Sequence, residues 1–271
     1  PSAHYDVLRR GLRATRELID ANIGSGQDNC RVIYHFIRKK DTTSNSDLMP
    51  RNHSVRLEVG NQAKAMYRLL GDGCKFAGID TANSEIFCRP EVFAHAYRYL
   101  DVDGIRRTYH VGEDYFDLTD GLRAIDEAVF FLRMRHGDRL GHCIAIAIDP
   151  KMYYESRRYH VPVPQQVLLD NLVWLYFATK QLCVTLPPRV EILILEKFRN
   201  YARLYGAPSI EDYYCSMLLR GNSPYYDEYQ PFSQIIHDWK STALDDRRMV
   251  SDNWKKSHIK DLFRRYHFDV R

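Results

Sequence analysis

A chain of 271 residues with 45% hydrophobic and 13% aromatic content can fill a substantial core, as one large domain or two small ones, which excludes a disordered polymer. The net charge of +4 suits solubility and a weak attraction for phosphates without demanding a nucleic acid. Six scattered cysteines without a Cys-x-x-Cys pair indicate neither a disulfide framework nor a zinc knuckle. No apolar run reaches the roughly 18 residues of a membrane span. The charged start is no secretory signal, so a cytoplasmic protein without a membrane partner is expected. Pro1-Ser2 is not a translation start, so the chain is expected to be processed or cut from a longer one.

The first predicted element is a helix from Tyr5 to Ile23, with Leu8, Leu12, Leu18 and Ile19 on one side, ended by a turn at Gly24 to Gly26. A strand follows at Val32 to Ile37, then a polar loop from Lys39 to Asn52 and a helix from Ser54 to Leu70. The order repeats with a strand at Lys75 to Asp80, a proline-opened helix at Pro90 to Leu100 and a strand at Gly104 to His110. Leu118, Leu122, Ile125, Val129 and Leu132 predict a helix with one buried face, and Arg139 to His142 reads as a fourth strand. Such alternation favours a parallel sheet with helices outside, either doubly wound or a β/α barrel. No Gly-x-Gly-x-x-Gly or phosphate-binding Gly-x4-Gly-Lys loop follows a strand, which makes the barrel the better choice.

After Pro150 the rhythm changes to helices at Val167 to Lys180, Val190 to Tyr205 and Ile210 to Arg220 with no strand between them. The predicted organisation is therefore a β/α part over residues 1–149 and a helical insertion over 150–271. Leu168, Leu172, Leu175, Phe177 and the run from Ile192 to Leu195 suit either core or a subunit contact. A Tyr/Pro-rich connector around Pro224 to Pro231 holds Tyr225, Tyr226 and Tyr229, for which rigid loop packing is a commoner use than base stacking. A last helix is predicted from Asp252 to Tyr266. The segment from Arg247 to Arg271 has eight Lys/Arg against three Asp/Glu, more often a solvated helix face than a nucleic-acid surface.

The polar residues cluster at the predicted strand ends. Tyr109-His110-Val111-Gly112-Glu113-Asp114 sets an imidazole and two carboxylates after an apolar strand, with Gly112 permitting a sharp turn. That suits a metal ligand and a general acid/base. His142 closes the next strand, and Asp80, Asn83 and Glu85 follow the one before. A lone strand-end histidine is more often an ordinary hydrogen-bonded residue than a ligand. Three successive polar strand ends lower those odds.

His110-Val111-Gly112-Glu113 is similar to the His-x-Gly-Glu motif of adenosine and AMP deaminases. Arg139-Leu140-Gly141-His142 resembles their Arg-[Ile/Val]-Gly-His motif, and Gly78 to Glu85 their Gly-x-Asp-Leu-x-Gly-x-Glu strand end. The three occur in family order over residues 30–145, about half the chain. The resemblance implies strands three to six of an eight-stranded TIM-like barrel and a purine-deaminating zinc hydrolase. Under it, His110 is a zinc ligand, Glu113 protonates the purine ring, and His142 orients the attacking hydroxide. Asp80, Asn83 and Asp114 are placed near the metal or the substrate.

The family's His-x-His pair does not occur, and Asp245-Asp246 follows no apolar strand, so the remaining ligands are expected outside this chain. Asn83 and Cys143 stand where the family has glycine. The helical region resembles enlarged deaminase-like proteins of bacterial anti-phage defence, which implies a homo-oligomer working beside an ATPase. The expected substrate is adenine in a nucleoside, nucleotide or RNA. The competing expectation is an inactive deaminase-like scaffold for assembly or RNA binding.

Overall fold

The computed structural model describes residues 3–23, 31–42, 50–203, 205–207, 209–222 and 257–269. The chain opens with helix α1 (Ala3–Ile23), strand β1 (Ile33–Ile37) and helix α2 (His53–Gly71). Next come β2 (Gly78–Ala82), a short 3-10 turn (Pro90–Val92), α3 (Ala94–Tyr99), β3 (Arg106–Val111), α4 (Leu118–Phe131) and β4 (Arg139–His142). Two short helices, α5 (Ile144–Ala147) and α6 (Pro150–Ser156), lead to the longer α7 (Gln165–Gln181), α8 (Pro188–Ala202) and α9 (Ile210–Leu218). A last helix, α10 (Ser257–Arg264), ends in a π turn. No helix among the described residues is long and apolar enough to cross a membrane.

The strands form one parallel sheet in the order β1-β2-β3-β4. Sequential order with right-handed crossovers puts every connecting helix on the same face, whereas a doubly wound sheet reverses its order part-way. The burial pattern agrees: Phe36, Ile79, Tyr109 and Val111 share one core with Val59 and Met66 of α2, Tyr97 of α3 and Ala128 of α4. Residues of the opposite pleat, among them Ile33, His35, Ile37, Arg106 and His110, are exposed or half-exposed. One face is thus packed under helices, and the other carries the polar strand-end groups.

Several elements depart from the sequence pattern. The strand expected at Lys75 to Asp80 forms over Gly78–Ala82, because pairing with β1 runs from Ile33↔Gly78 to Ile37↔Ala82. The helix expected from Pro90 to Leu100 divides at Phe93 into the 3-10 turn and α3. In α4, Val129 is 43% exposed, while Leu118, Gly121, Ile125, Ala128 and Leu132 are buried. The helix is covered on two sides, by the sheet and by α7, so polar Asp120, Arg123 and Glu127 are buried too. The turn at Gly24 to Gly26, Cys30, the Tyr/Pro-rich connector and Asp245-Asp246 lie outside the described residues. So does the basic C-terminal segment as far as residue 256.

A second core joins α7, α8, α9 and α10 through residues such as Leu169, Phe198, Tyr213 and Ile259. Leu168, Leu172 and Leu175 are half-buried and Ile194 is buried, while Ile192 and Leu193 face solvent. A charged seam lies where α4 meets α7. Arg123 bonds Glu127, Asp120 and Asn171, and Arg220 bonds Asp170 at 2.7 Å. Burial opposes ionisation of Asp170, but Arg220 and Arg123 outweigh it and hold the carboxyl below its ordinary range.

Candidate active site

The C-terminal ends of all four strands meet in one polar rim. In β3 the alternation that buries Tyr109 and Val111 turns His110 to the open face, and its carboxylate neighbour is Asp80 of β2. His110 Nδ1 lies 2.9 Å from Asp80 Oδ1. Asp80 is nearly buried, with a side chain 6% exposed, and also accepts the backbone N–H of Thr81. A carboxylate on Nδ1 fixes the ring orientation and favours the tautomer whose Nε2 carries a free lone pair. Asp80 is thus the orienting partner of the His110 ring.

Glu113 comes from the tight turn after β3. Gly112 sits at φ 75°, and a Cβ there would stand 2.6 Å from Cδ1 of Ile125, so both conformation and space require glycine. The turn is clasped from below. Glu85 accepts backbone N–H bonds from Gly112 at 3.0 Å, Glu113 at 2.8 Å and Asp114 at 3.2 Å. The Glu113 carboxylate then reaches His142, Oε2 to Nε2, at 3.1 Å.

His142 arrives from β4 with φ 62°, followed by Cys143 at φ 50°. Two left-handed residues in succession bend the chain out of the strand, and the His142 and His110 rings lie 5.0 Å apart between centroids. Gly141 is the register partner of His110, and a Cβ on it would meet the His110 ring at 3.1 Å. The Arg-Leu-Gly-His glycine therefore makes room for the neighbouring imidazole. Burial, and after it Glu85, raises the Cys143 thiol above its usual range, so the thiol stays protonated at neutral pH.

The other two candidate residues act in the scaffold of the rim. Asn83 has φ 80°, a region that glycine or asparagine tolerates. Its Nδ2 donates to the Arg38 carbonyl at 3.0 Å, and Arg38 Nη1 donates back to the Asn83 carbonyl at 3.0 Å, which ties β1 to β2. Asp114 accepts a hydrogen bond from Ser84 Oγ. Of the six candidates, His110, Asp80, Glu113 and His142 form one cluster, while Asn83 and Asp114 brace the turns beside it.

Two further residues, His35 and Arg38, belong to the rim although the sequence pattern does not single them out for a role there. His35 pairs in register with Asp80, its Nε2 lies 3.9 Å from Asp80 Oδ2, and its ring is 6.3 Å from that of His110. A histidine inside an apolar strand carries no local mark of function; only strand alternation puts it on the same face as the strand-end groups. Glu85 is the turn's clasp. Buried Arg38 donates to the His110 carbonyl and lies over the Tyr109 ring at 4.7 Å, which fixes the backbone of β3 where His110 leaves it.

The donor set suits a divalent metal in kind, since imidazole backed by carboxylate is a common ligand arrangement. Among the described residues, no three His, Cys, Asp or Glu side chains converge closely enough to hold a metal by themselves. No family model matches the sequence, and no curated protein matches it.

Proposed function

We propose that this chain supplies strands three to six of an eight-stranded β/α barrel in a zinc-dependent hydrolase that deaminates adenine in a nucleoside, nucleotide or nucleic acid. The observation that carries the reading is the rim itself. An imidazole oriented by Asp80 and a carboxylate–imidazole pair, Glu113 with His142, stand side by side at successive parallel strand ends. Strand-end clusters of this kind are where barrel enzymes place their chemistry. The sequential strand order and the uncovered inner pleat support a barrel segment over a doubly wound sheet.

His110 would hold the metal through Nε2, with the further ligands coming from outside the described residues. The chemistry a zinc ion would supply there is a bound water acidified to a pKa of about 7, and so hydroxide at neutral pH. Glu113, once protonated, donates to a purine ring nitrogen and makes the attacked carbon electrophilic. His142, 3.1 Å from Glu113, would orient the attacking water. Glu85 keeps Glu113 in place through the three backbone N–H groups of its turn.

Exposed apolar side chains at the α7–α8 corner, Leu182, Val184, Ile192 and Leu193, support assembly with further copies of the chain. The reading includes a cytoplasmic location and an ATPase partner. The second reading, an inactive scaffold for assembly or RNA binding, draws on the absence of a three-ligand set among the described residues.

The test is inosine formation from adenosine, adenine nucleotides and RNA by the complete gene product and by Glu113→Gln. Turnover by the wild type with a loss of about 100-fold or more in the variant is expected. No turnover by either protein leaves the scaffold reading.

A further inference from the structure

At the opposite end of the sheet, α1 and the segments that enter β1 and β2 enclose a cleft of about 990 Å3. Its walls hold Arg9, Arg10, Arg13, Arg16, Arg31 and Lys75, all exposed, against a single carboxylate, Asp6. Arg13 has an exposed partner, Glu17, at 3.0 Å. The other five form no salt bridge among the described residues. So many like charges facing one concavity repel one another unless a polyanion neutralises them.

The arrangement favours an extended anion over a compact one. Arg9, Arg13 and Arg16 follow one face of α1, and at 1.5 Å per residue they spread over about 10 Å. Arg31 and Lys75 come from the other side, on the entries to β1 and β2. A single phosphate is normally held where donors converge on one point, often backbone N–H groups. Here the cations are spaced along a line. No Trp, Tyr or His stands among the described lining residues, and Phe76 is 7% exposed, so the cleft has no platform on which bases could stack. An anionic membrane would call for a protruding face; this one is concave.

We propose that this cleft binds the phosphate backbone of a nucleic-acid strand by charge, without reading its sequence. The cleft precedes the strands and the rim follows them, roughly 16 Å away along a five-residue strand at about 3.3 Å per residue. The inference therefore stands independently of the deaminase reading. A strand held at one end of the sheet does not need chemistry at the other.

The test is fluorescence anisotropy of the complete gene product with a labelled mixed-sequence RNA of about 20 nucleotides over a range of salt. Binding is expected to weaken linearly in log–log form with salt, and uridine and cytidine homopolymers are expected to bind equally. Combined Arg10→Gln, Arg16→Gln and Lys75→Gln should weaken binding about tenfold or more and lower the salt slope by about 2. If that variant fails to fold, Arg16→Gln alone should lower the slope by about 1. The proposal is overturned by absence of RNA binding, by an unchanged slope in a folded variant, or by strong preference for one homopolymer. It is equally overturned if inorganic tripolyphosphate competes as well as RNA, or if vesicles of phosphatidylserine bind and RNA does not. Loss of self-association in the variant with unchanged RNA affinity would give the cleft to a second copy and overturn it as well.

Discussion

The strand-end rim and the seam between α4 and α7 both gather charged residues, yet they are built in opposite ways. In the rim, the side chains of His35, His110, Glu113 and His142 are 41%, 30%, 32% and 44% exposed. In the seam, Arg123, Asp120, Asp170 and Arg220 are 5% exposed or less. The seam's charged groups bond one another, although Arg220 Nε and Asn171 Nδ2 have no hydrogen-bond partner among the described residues. Asp170 alone accepts from Arg220, Tyr213 and Gln166. The rim leaves the His110, Glu113 and His142 side chains partly open to solvent. Closed networks hold a fold together; open ones meet ligands.

The comparison breaks most sharply at Asp170. Asp170→Ala leaves the buried Arg220 guanidinium without its carboxylate and should cost about 3–5 kcal/mol in urea unfolding. His142→Ala, at an exposed pair, should stay within about 1 kcal/mol of wild type in the same measurement. Equal losses at the two sites would erase the distinction between seam and rim.

A smaller, pH-dependent effect is expected from a neutral group buried near Arg220. His267 is fully buried beside Tyr266 and Phe263, and burial together with Arg56, Arg220 and Arg51 holds its imidazole well below the usual histidine range. The folded protein therefore keeps it neutral, while the unfolded chain protonates it below about 6.5. Stability from this residue is present above that value and is lost as pH falls through it, by up to about 1.4 kcal/mol per pH unit. Unfolding of wild type and His267→Phe at about pH 7.5 and 5.5 should show a steeper acid loss in the wild type. Parallel slopes would mean that His267 takes up its proton in the fold.

Much of the fold was legible because hydrophobic period and punctuation coincide. β4 forms over the expected Arg139–His142, and α1, α2 and α4 lie within a few residues of their patterns. β2 was misplaced because Lys75, Phe76 and Ala77 read as strand, while the ladder partner, β1, decides where pairing runs. Of the rim, His110, Glu113, His142 and Asp80 were legible as strand-end polar groups. Glu85 was legible as a strand-end carboxylate but not as the clasp of the Gly112 turn 27 residues on, and His35 was not legible as part of the rim, because its partner Asp80 is 45 residues away. The seam was hidden for a related reason. Asp170 lies in an apolar run of α7, and Arg220, which neutralises it, is 50 residues further on.

The central claim, that His110 is a metal-binding imidazole oriented by Asp80, is tested most directly by measuring zinc bound to the purified complete gene product, to His110→Ala and to Glu113→Gln. Zinc held by wild type and Glu113→Gln but lost from a folded His110→Ala is the expected result. Zinc absent from the wild type, or retained undiminished without the His110 imidazole, would contradict it.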